Sequence, residues 1–387
     1  MSRPTRATAA GRAYLDLQNR ARAEGRGTQE FLTLYVVERW LARLSTSPYA
    51  DQFVIKGGML LAAYDARRPT ADLDALARSV ASDEASILSR VTEIARLVPS
   101  LDDGVVYRTE TATARLIRDQ ALYAGVRIAM DSEIATATVK FRLDVNFGDP
   151  ITPAPSLVTM PPLRPTLEPV RVLGYPIETV LAEKLATAIA LGPANTRVRD
   201  YADIYTLTGK HLFAHDTVRA ALLATAAFRG TPVTALSDSV GNIVELRRQA
   251  YAAYCANLGA AGMHLPADFA PVVTEVVAFA DSLTQVAPAG TIWNPQQRRW
   301  VVELHSQGQE LPNLALVYIK AAPAAPLPGV APGSALGGPP GARRATPQGR
   351  QINAAHTSRR PARQPSCLAA CCPARLAIAQ LSARAVQ

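Results

Sequence analysis

The sequence predicts an α+β protein in which a mixed sheet is flanked by helices. Apolar residues recur at helical spacing between residues 8 and 45. Segments in which apolar and polar residues alternate, separated by turn residues, then follow one another between residues 105 and 147. From about residue 177 the apolar spacing is helical again. We therefore expect a helical region on each side of a sheet-forming region.

Length and composition favour a folded, water-exposed protein. The chain has 387 residues, of which 48% are hydrophobic, which suffices for a sizeable core and suggests two domains or more. No apolar run approaches the roughly 20 residues that a membrane span needs, and the N-terminus lacks the apolar segment of a signal peptide. The 4 cysteines do not form a disulfide framework. We expect a cytoplasmic protein that has no membrane contact.

The net charge of +9 comes from the C-terminal region. Residues 311–387 contain nine of the 41 basic residues and no acidic residue, which leaves residues 1–310 with equal numbers of basic and acidic residues, 32 of each. The overall charge therefore does not identify the folded part as a nucleic-acid binder. A local basic groove stays open as an alternative.

Residues 53–76 are the stretch around which the chain is organised. An apolar strand leads into the turn Lys56-Gly57-Gly58, and an apolar helical segment and a second turn then lead to a strand with Asp72 and Asp74. Side chains i and i+2 of a strand share a face, so the two carboxylates point the same way. Two carboxylates side by side repel each other unless a cation lies between them. Oxygen ligands of this kind favour Mg²⁺.

The other elements follow from the same patterns. A helix is expected at about 82–97 with Ser82 as its N-cap, and strands are expected at 105–107, 114–117, 126–130 and 137–146. The Pro-rich residues 153–169 predict an extended connector. Further helices are expected at 179–189, 216–227, 238–258 and 266–286.

Asp144 is the candidate third carboxylate. It lies on the polar face of the strand at 137–146, opposite the apolar face of Val139, Phe141, Leu143 and Val145. A strand with one wet face often carries an aspartate for structural reasons alone, and Asp149 is the nearest competitor, although Gly148-Asp149-Pro150 predicts a turn. The upstream pair of aspartates favours Asp144.

These motifs carry a family resemblance. The Gly-Gly turn, the short helix and the Asp-x-Asp strand resemble the nucleotidyltransferase fold of the DNA polymerase β type. More narrowly, Lys56-Gly57-Gly58 followed by the segment R-P-T-A-D-L-D at 68–74 resembles the AbiEii/AbiGii toxin family, which has MenT-type toxins among its relatives. The helix P-I-E-T-V-L-A-E-K-L-A at 176–186 and the segment R-V-R-D-Y-A-D-I at 197–204 are similar to the same family. The resemblance covers about residues 28–300.

The resemblance implies the chemistry of the site. Two Mg²⁺ ions are expected, one on Asp72 and Asp74 and the other on Asp72, Asp74 and Asp144. A nucleoside triphosphate (NTP) would be the substrate. The implied nucleotide-binding residues are Lys56, Gly57, Gly58, Lys184 and Arg199, and the implied catalytic residues are Asp72, Asp74, Asp144, Lys184 and Asp203.

Two features of these motifs leave alternatives open. Arg199 and Asp203 are four residues apart, so a helix would bring them to one face, where they could simply form an ion pair on a solvated helix. Met59 stands where many polymerase-β-type enzymes carry Ser or Thr, whose hydroxyl can contact phosphate. The backbone N–H groups of the Gly57-Gly58 turn remain as phosphate ligands.

Three functions are compatible with these residues. The first is an enzyme that transfers a nucleoside monophosphate to an acceptor hydroxyl of tRNA or of a protein, as the toxin of a toxin–antitoxin or abortive-infection system with a cognate antitoxin. The second is a catalytically impaired module that binds RNA or a protein partner. The third is phosphoryl transfer by the same groups.

The expected domain organisation has four parts. These are a helical cap at 1–50, a nucleotidyltransferase core at 51–175, a helical domain that completes the active site at 176–300, and a disordered tail at 301–387. The tail is rich in Pro, Ala, Gly and Arg, which predicts disorder. It would either contact RNA or have no selected role. Its clustered cysteines (Cys367, Cys371 and Cys372) lack a second ligand pair at a zinc spacing.

Overall fold

The computed structural model describes residues 3–119 and 123–302. The expectations for the tail and its cysteines therefore lie outside the described residues, except at positions 301 and 302. Within the described ranges, no helix is both long and apolar enough to cross a bilayer.

Two helices open the chain, as predicted. The helix α1 (Ala9–Ala23) begins at Thr8, whose side-chain oxygen accepts a hydrogen bond from the backbone N–H of Gly11. The helix α2 (Thr28–Ser45) is largely buried. Its Trp40 lies against Phe53 and Phe141, with ring centroids 6.1 and 5.5 Å apart. These contacts place α2 against the sheet.

The predicted strand–turn–strand unit forms next. The buried strand β1 (Phe53–Lys56) leads directly into the short helix α3 (Gly57–Leu60) and a 3₁₀ turn at Leu61–Tyr64. The strand β2 (Leu73–Ala77) then pairs antiparallel with β1. The helix α4 (Glu84–Arg96) begins after Asp83 rather than Ser82, because the Asp83 carboxylate accepts the N–H of Ser86 at 2.8 Å.

Three long strands extend the sheet. They are β3 (Val105–Asp119), β4 (Tyr123–Ile134) and β5 (Ala137–Phe147). The two short strands predicted at 105–107 and 114–117 are parts of the single strand β3. In β5 the predicted apolar face is fully buried, so Asp144 lies on the opposite face. The alternation of the sequence therefore set the orientation of this strand correctly.

The expectation of a plain connector at 153–169 is wrong in part. Residues 156–160 form the strand β6 (Ser156–Met160), which pairs antiparallel with β7 (Val170–Gly174). Alternate residues of β6, Val158 and Met160, are buried, and this burial outweighs the Pro-rich composition around them. The seven strands follow the order β3-β4-β5-β2-β1-β7-β6, with β2 parallel to β5 and β1 parallel to β7. The predicted mixed sheet is thus confirmed.

The remainder is mostly helical, as predicted. Its elements are α5 (Ile177–Leu191), α6 (Val198–Thr208), β8 (Phe213–Ala214), α7 (His215–Arg229), α8 (Leu236–Val240), α9 (Ile243–Leu258), α10 (Phe269–Asp281), β9 (Thr291–Asn294) and β10 (Arg299–Val302). The single helix predicted at 238–258 is interrupted at Gly241, which has a φ of +49°. The small sheet β10-β9-β8 was not predicted.

Candidate active site

Four charged residues cross the sheet in register. Arg127 on β4 is paired with Asp144 on β5, Asp144 with Asp74 on β2, and Asp74 with Lys56 on β1. Residues in register on neighbouring strands point to the same side of a sheet. The fold therefore brings together two carboxylates that are 70 residues apart in the sequence and places a cation on each side of them.

Asp72 lies one residue before β2 and extends the same face. On the neighbouring strand β5, the guanidinium of Arg142 is 3.7 Å from Asp72 Oδ1. This oxygen is buried and has no hydrogen-bond partner among the described residues. A buried carboxylate oxygen in this state is costly. Asp72 Oδ1 can therefore accept a ligand without giving up a hydrogen bond within the described part of the chain.

Asp74 is more deeply buried than Asp72. Burial is the largest cause that raises the pKa of its carboxyl group to about 6, since the opposing effect of Lys56 is not sufficient and Asp144 adds repulsion. No residue in the described ranges donates a hydrogen bond to this carboxylate. A Cβ placed on Gly57, which has a φ of +70°, would lie 2.0 Å from Asp74 Oδ2. Only glycine therefore lets the turn approach the carboxylate this closely.

Asp144 is engaged by Arg127. The guanidinium donates from Nε to Asp144 Oδ1 at 2.6 Å and from Nη2 to Asp144 Oδ2. This two-point geometry is the strongest form of Arg–carboxylate pairing. The Asp144 carboxylate is thus on the predicted face, but an arginine that the sequence did not single out holds it.

Lys56 is buried between two carboxylates. Its ammonium group is 2.6 Å from Asp149 Oδ2 and 2.6 Å from Glu183 Oε1. Burial lowers the pKa of this lysine, but Glu183 and Asp149 outweigh it and keep the pKa above its usual range. Asp149, set aside as a turn residue, has a defined partner here. Arg229 also donates to Glu183 Oε1, at 3.4 Å.

Asp203 is the centre of a second buried charge cluster. Lys184 Nζ donates to Asp203 Oδ2 at 2.8 Å and to Asp200 Oδ1 at 2.7 Å. Arg68 Nε donates to both oxygens of Asp203, at 2.8 and 3.1 Å. Burial would raise the pKa of the Asp203 carboxyl group, but Lys184 and Arg68 outweigh it and hold the pKa below its usual range. The helices α5 and α6 are tied together here by opposite charges.

The expected meeting of Arg199 and Asp203 does not occur. Both lie on α6, but Arg199 is exposed while Asp203 is buried among cations from other elements. Arg199 makes no ion pair within the described ranges. The expectation fails because tertiary partners of Asp203 displace the intrahelical one. Arg199 nevertheless borders the same cleft as the other candidates.

One cleft of about 640 Å³ joins these groups. Eight of the nine predicted site residues line this cleft: Lys56, Gly57, Gly58, Asp72, Asp74, Asp144, Lys184 and Arg199. Asp203 is not on the wall but lies behind Lys184 and Arg68. A volume of this size accommodates a nucleotide.

The carboxylates partly fit a divalent metal ion. Among the described residues, neither Asp72 Oδ1, which is buried, nor the Asp74 carboxylate accepts a hydrogen bond. Both are oxygen ligands of the type that Mg²⁺ prefers. Asp144 is occupied by Arg127. Within residues 3–119 and 123–302, no group of three acidic, His or Cys side chains is arranged as a metal site. The fit therefore holds for the pair Asp72 and Asp74.

Several residues of the site escaped the sequence reasoning. These are Arg68, Arg127, Glu183 and Arg229, while Asp149 was considered only as a competitor of Asp144. Arg68 stands inside the quoted R-P-T-A-D-L-D motif, so its position carried a signal. Arg127 would have needed the strand register between β4 and β5, which the sequence does not display.

Comparisons with known proteins identify one family and several similar structures. The model of the family described as "Nucleotidyl transferase AbiEii toxin, Type IV TA system" matches residues 39–275. The nucleotidyltransferase toxin MenT4 from Mycobacterium tuberculosis is 16% identical, with a TM-score of 0.46 over 75% of this chain and 92% of that one. No curated protein matches significantly.

Two structures from Helicobacter pylori are also similar. A putative nucleotidyltransferase is 16% identical, with a TM-score of 0.39 over 65% of this chain and 93% of that chain. JHP933 is 16% identical, with a TM-score of 0.37 over 65% of this chain and 90% of that chain. The family match covers more than half of the sequence and includes Asp72, Asp74 and Asp144. The chain belongs to the AbiEii family of nucleotidyltransferase toxins, whose members act in toxin–antitoxin systems.

Proposed function

We propose that this toxin transfers a nucleoside monophosphate from an NTP to an acceptor hydroxyl group, in tRNA or in a protein, in a Mg²⁺-dependent reaction. The acceptor oxygen attacks the α-phosphorus, and the bond from that phosphorus to the β-phosphate oxygen breaks. Pyrophosphate leaves, and the hydroxyl proton passes to water. A cognate antitoxin would restrain this activity.

The observation that carries the proposal is the grouping of Asp72, Asp74 and Asp144 on one wall of the cleft. Asp74 and Asp144 are register partners, and Asp72 continues the same face. Folding gains nothing from placing like charges side by side. A site that binds cations is a sufficient reason for keeping them there.

Mg²⁺ would be held by Asp72 and Asp74, and by Asp144 where Arg127 releases it. When bound, the ion would supply charge neutralisation for the triphosphate and for the reacting oxygens. The residues of the chain have separate tasks. Gly57 and Gly58 let the phosphates approach the backbone closely, and Lys184, held by Asp200 and Asp203, places a fixed positive charge at the cleft.

One observation favours the alternative of a binding module. Asp144 is already satisfied by Arg127, and a site whose third carboxylate stayed in this pair would lack part of its catalytic set. Such a module would occupy RNA or a protein partner without turnover. Mg²⁺-dependent binding of an NTP distinguishes the two, since the binding module requires none.

The test uses purified protein, Mg²⁺, a tRNA pool and each of the four NTPs labelled in turn at the α-phosphate. We expect label to enter the RNA or the protein itself, and to be lost with Asp74→Ala. Asp131→Ala is the matched control, because Asp131 lies on the same sheet and pairs with Lys140 instead. Wild-type transfer by Asp74→Ala would overturn the proposal. In a parallel assay with NTPs labelled at the γ-phosphate, transfer of that label without transfer of the α-label would indicate phosphoryl transfer.

A further inference from the structure

The Gly57-Gly58 turn lacks a hydroxyl group from its own segment. Met59, the next residue, is 2% exposed and packs into the core. The polar surroundings of the turn come instead from the segment before β2. A Cβ placed on Gly58 would lie 3.0 Å from Arg68 Nη1 and 3.0 Å from Thr70 Oγ1. Arg68 and Thr70 therefore stand at the place where the turn faces the cleft.

Hydrogen bonds hold Arg68 in position, but they do not use all of its N–H donors. Nε is used by Asp203, and Nη1 donates to the Pro69 carbonyl at 3.1 Å. Nη2 has no acceptor among the described residues. A guanidinium has five N–H donors, so three remain, whereas Lys184 has spent two of its three on Asp200 and Asp203.

The orientation of Arg68 suits a phosphate ligand. Its side chain is 11% exposed, so it reaches the cleft from a largely desolvated position, where charge-assisted hydrogen bonds are strong. The planar fork can contact two phosphate oxygens at once. Lys56, in contrast, is enclosed by Asp149 and Glu183. Of the two basic residues nearest the turn, Arg68 thus keeps more uncommitted donors, three against one for Lys56.

We propose that Arg68 binds the β- and γ-phosphates of the NTP at the Gly57-Gly58 turn. The Thr70 hydroxyl, which donates to the backbone carbonyl of Asp72 at 3.1 Å in this structure, turns from that carbonyl to a phosphate oxygen and assists in place of the hydroxyl that Met59 cannot supply. Asp203 is the positioning residue that holds Arg68 in this orientation. The inference rests on the proposed function for the identity of the nucleotide, but the phosphate site itself can be tested without turnover.

The test measures equilibrium binding of inorganic tripolyphosphate, with Mg²⁺, by calorimetry. Arg68→Ala is expected to weaken binding roughly 10- to 100-fold, the loss typical of charged hydrogen bonds. Arg68→Lys restores part of the affinity, and Thr70→Val weakens it roughly threefold to tenfold. Arg67→Ala is the matched control. It removes the same charge one residue away, from a side chain that donates to the Pro161 carbonyl.

In the transfer assay, Arg68→Ala should raise KM for the NTP more than it lowers kcat. Thermal unfolding of each variant separates loss of the fold from loss of the ligand. Equal tripolyphosphate affinity of Arg68→Ala and wild type, or no binding by wild type, overturns the inference. Wild type could transfer no nucleotide and yet bind tripolyphosphate more tightly than Arg68→Ala does. In that case the proposed function fails and the phosphate site stands.

Discussion

Arg127 Nε donates a hydrogen bond to Asp144 Oδ1 at 2.6 Å, and the two residues are register partners on β4 and β5. A second bond runs from Arg127 Nη2 to the other carboxylate oxygen. Both oxygens of Asp144 are therefore engaged by one cation. A metal ion that needs this carboxylate has to compete with the arginine.

Replacing Arg127 should free Asp144 for metal. We expect Arg127→Met to bind Mn²⁺ several-fold more tightly than wild type, because a competing positive charge is removed from beside the carboxylates. Electron paramagnetic resonance of free Mn²⁺ measures this affinity. Arg115→Met is the control, since Arg115 is exposed on β3 and pairs in register with Arg127 rather than with Asp144. Weaker Mn²⁺ binding by Arg127→Met would show that Arg127 instead helps to build the site.

Gly57→Ala should damage the site through the carboxylate that the new methyl group meets. The added Cβ would lie 2.0 Å from Asp74 Oδ2, and the φ of +70° is strained for alanine. We expect a loss of transfer greater than about 100-fold and destabilisation of about 1–3 kcal/mol, measured by urea unfolding.

Gly25→Ala separates these two effects. Gly25 has a φ of +65°, and nothing lies within 4 Å of its added Cβ. It should show the backbone strain but retain transfer. Normal transfer by Gly57→Ala would mean that Asp74 tolerates displacement.

Removing the charge of Asp203 should be more costly than removing that of Asp200. Asp203→Asn leaves buried Arg68 without its carboxylate partner, and breaking a buried ion pair typically costs about 3–5 kcal/mol. Asp200→Asn leaves Lys184 with Asp203 and should cost less. Denaturant unfolding of both variants gives the comparison. Equal losses would refute the central role of Asp203.

The buried charge of Asp203 also predicts that the stability of the fold depends on pH. The folded pKa of Asp203 lies below its ordinary value of 3.8, so its contribution is fully present above that value and is lost as the pH falls through the folded pKa. The difference in unfolding free energy between wild type and Asp203→Asn should therefore stay constant from about pH 7 to about pH 5 and shrink at lower pH. A difference that already narrows in that neutral range would contradict the assignment.

Local sequence patterns were sufficient to predict that Asp72, Asp74 and Asp144 lie on one face of the sheet. Alternation placed Asp144 on the wet face of β5, and the spacing of Asp72 and Asp74 gave them a common side, because both depend only on the period of a strand. The order of neighbouring strands is not local. The pairing of Arg127 with Asp144 follows from the β4–β5 register, which no short motif encodes.

Partners from other elements account for one of the errors. Helical spacing predicted that Arg199 would meet Asp203, but Arg68 and Lys184 arrive from distant segments and take that carboxylate. The strand β6 was hidden by surrounding prolines, and the β9–β10 hairpin is too short to give a periodic signal. The first error concerns contacts from other elements, whereas the missed strands pair with near neighbours in the sequence and lacked a clear local pattern.

The β9–β10 hairpin lies beyond the stretch matched by the family, yet it supports α6, the helix that carries Asp200 and Asp203. Trp293 donates from Nε1 to the carbonyl of Thr208 at 2.8 Å, and Arg298 donates to the carbonyl of Tyr205 at 3.3 Å. The Trp293 bond satisfies a carbonyl at the end of α6 that the helix itself leaves open. The Arg298 bond adds a second donor to the Tyr205 carbonyl, which already accepts the backbone N–H of Gly209 at 3.1 Å. A ribosome must therefore synthesise the chain as far as Arg298 before α6 acquires both bonds, so the helix that carries Asp200 and Asp203 gains this support late in synthesis.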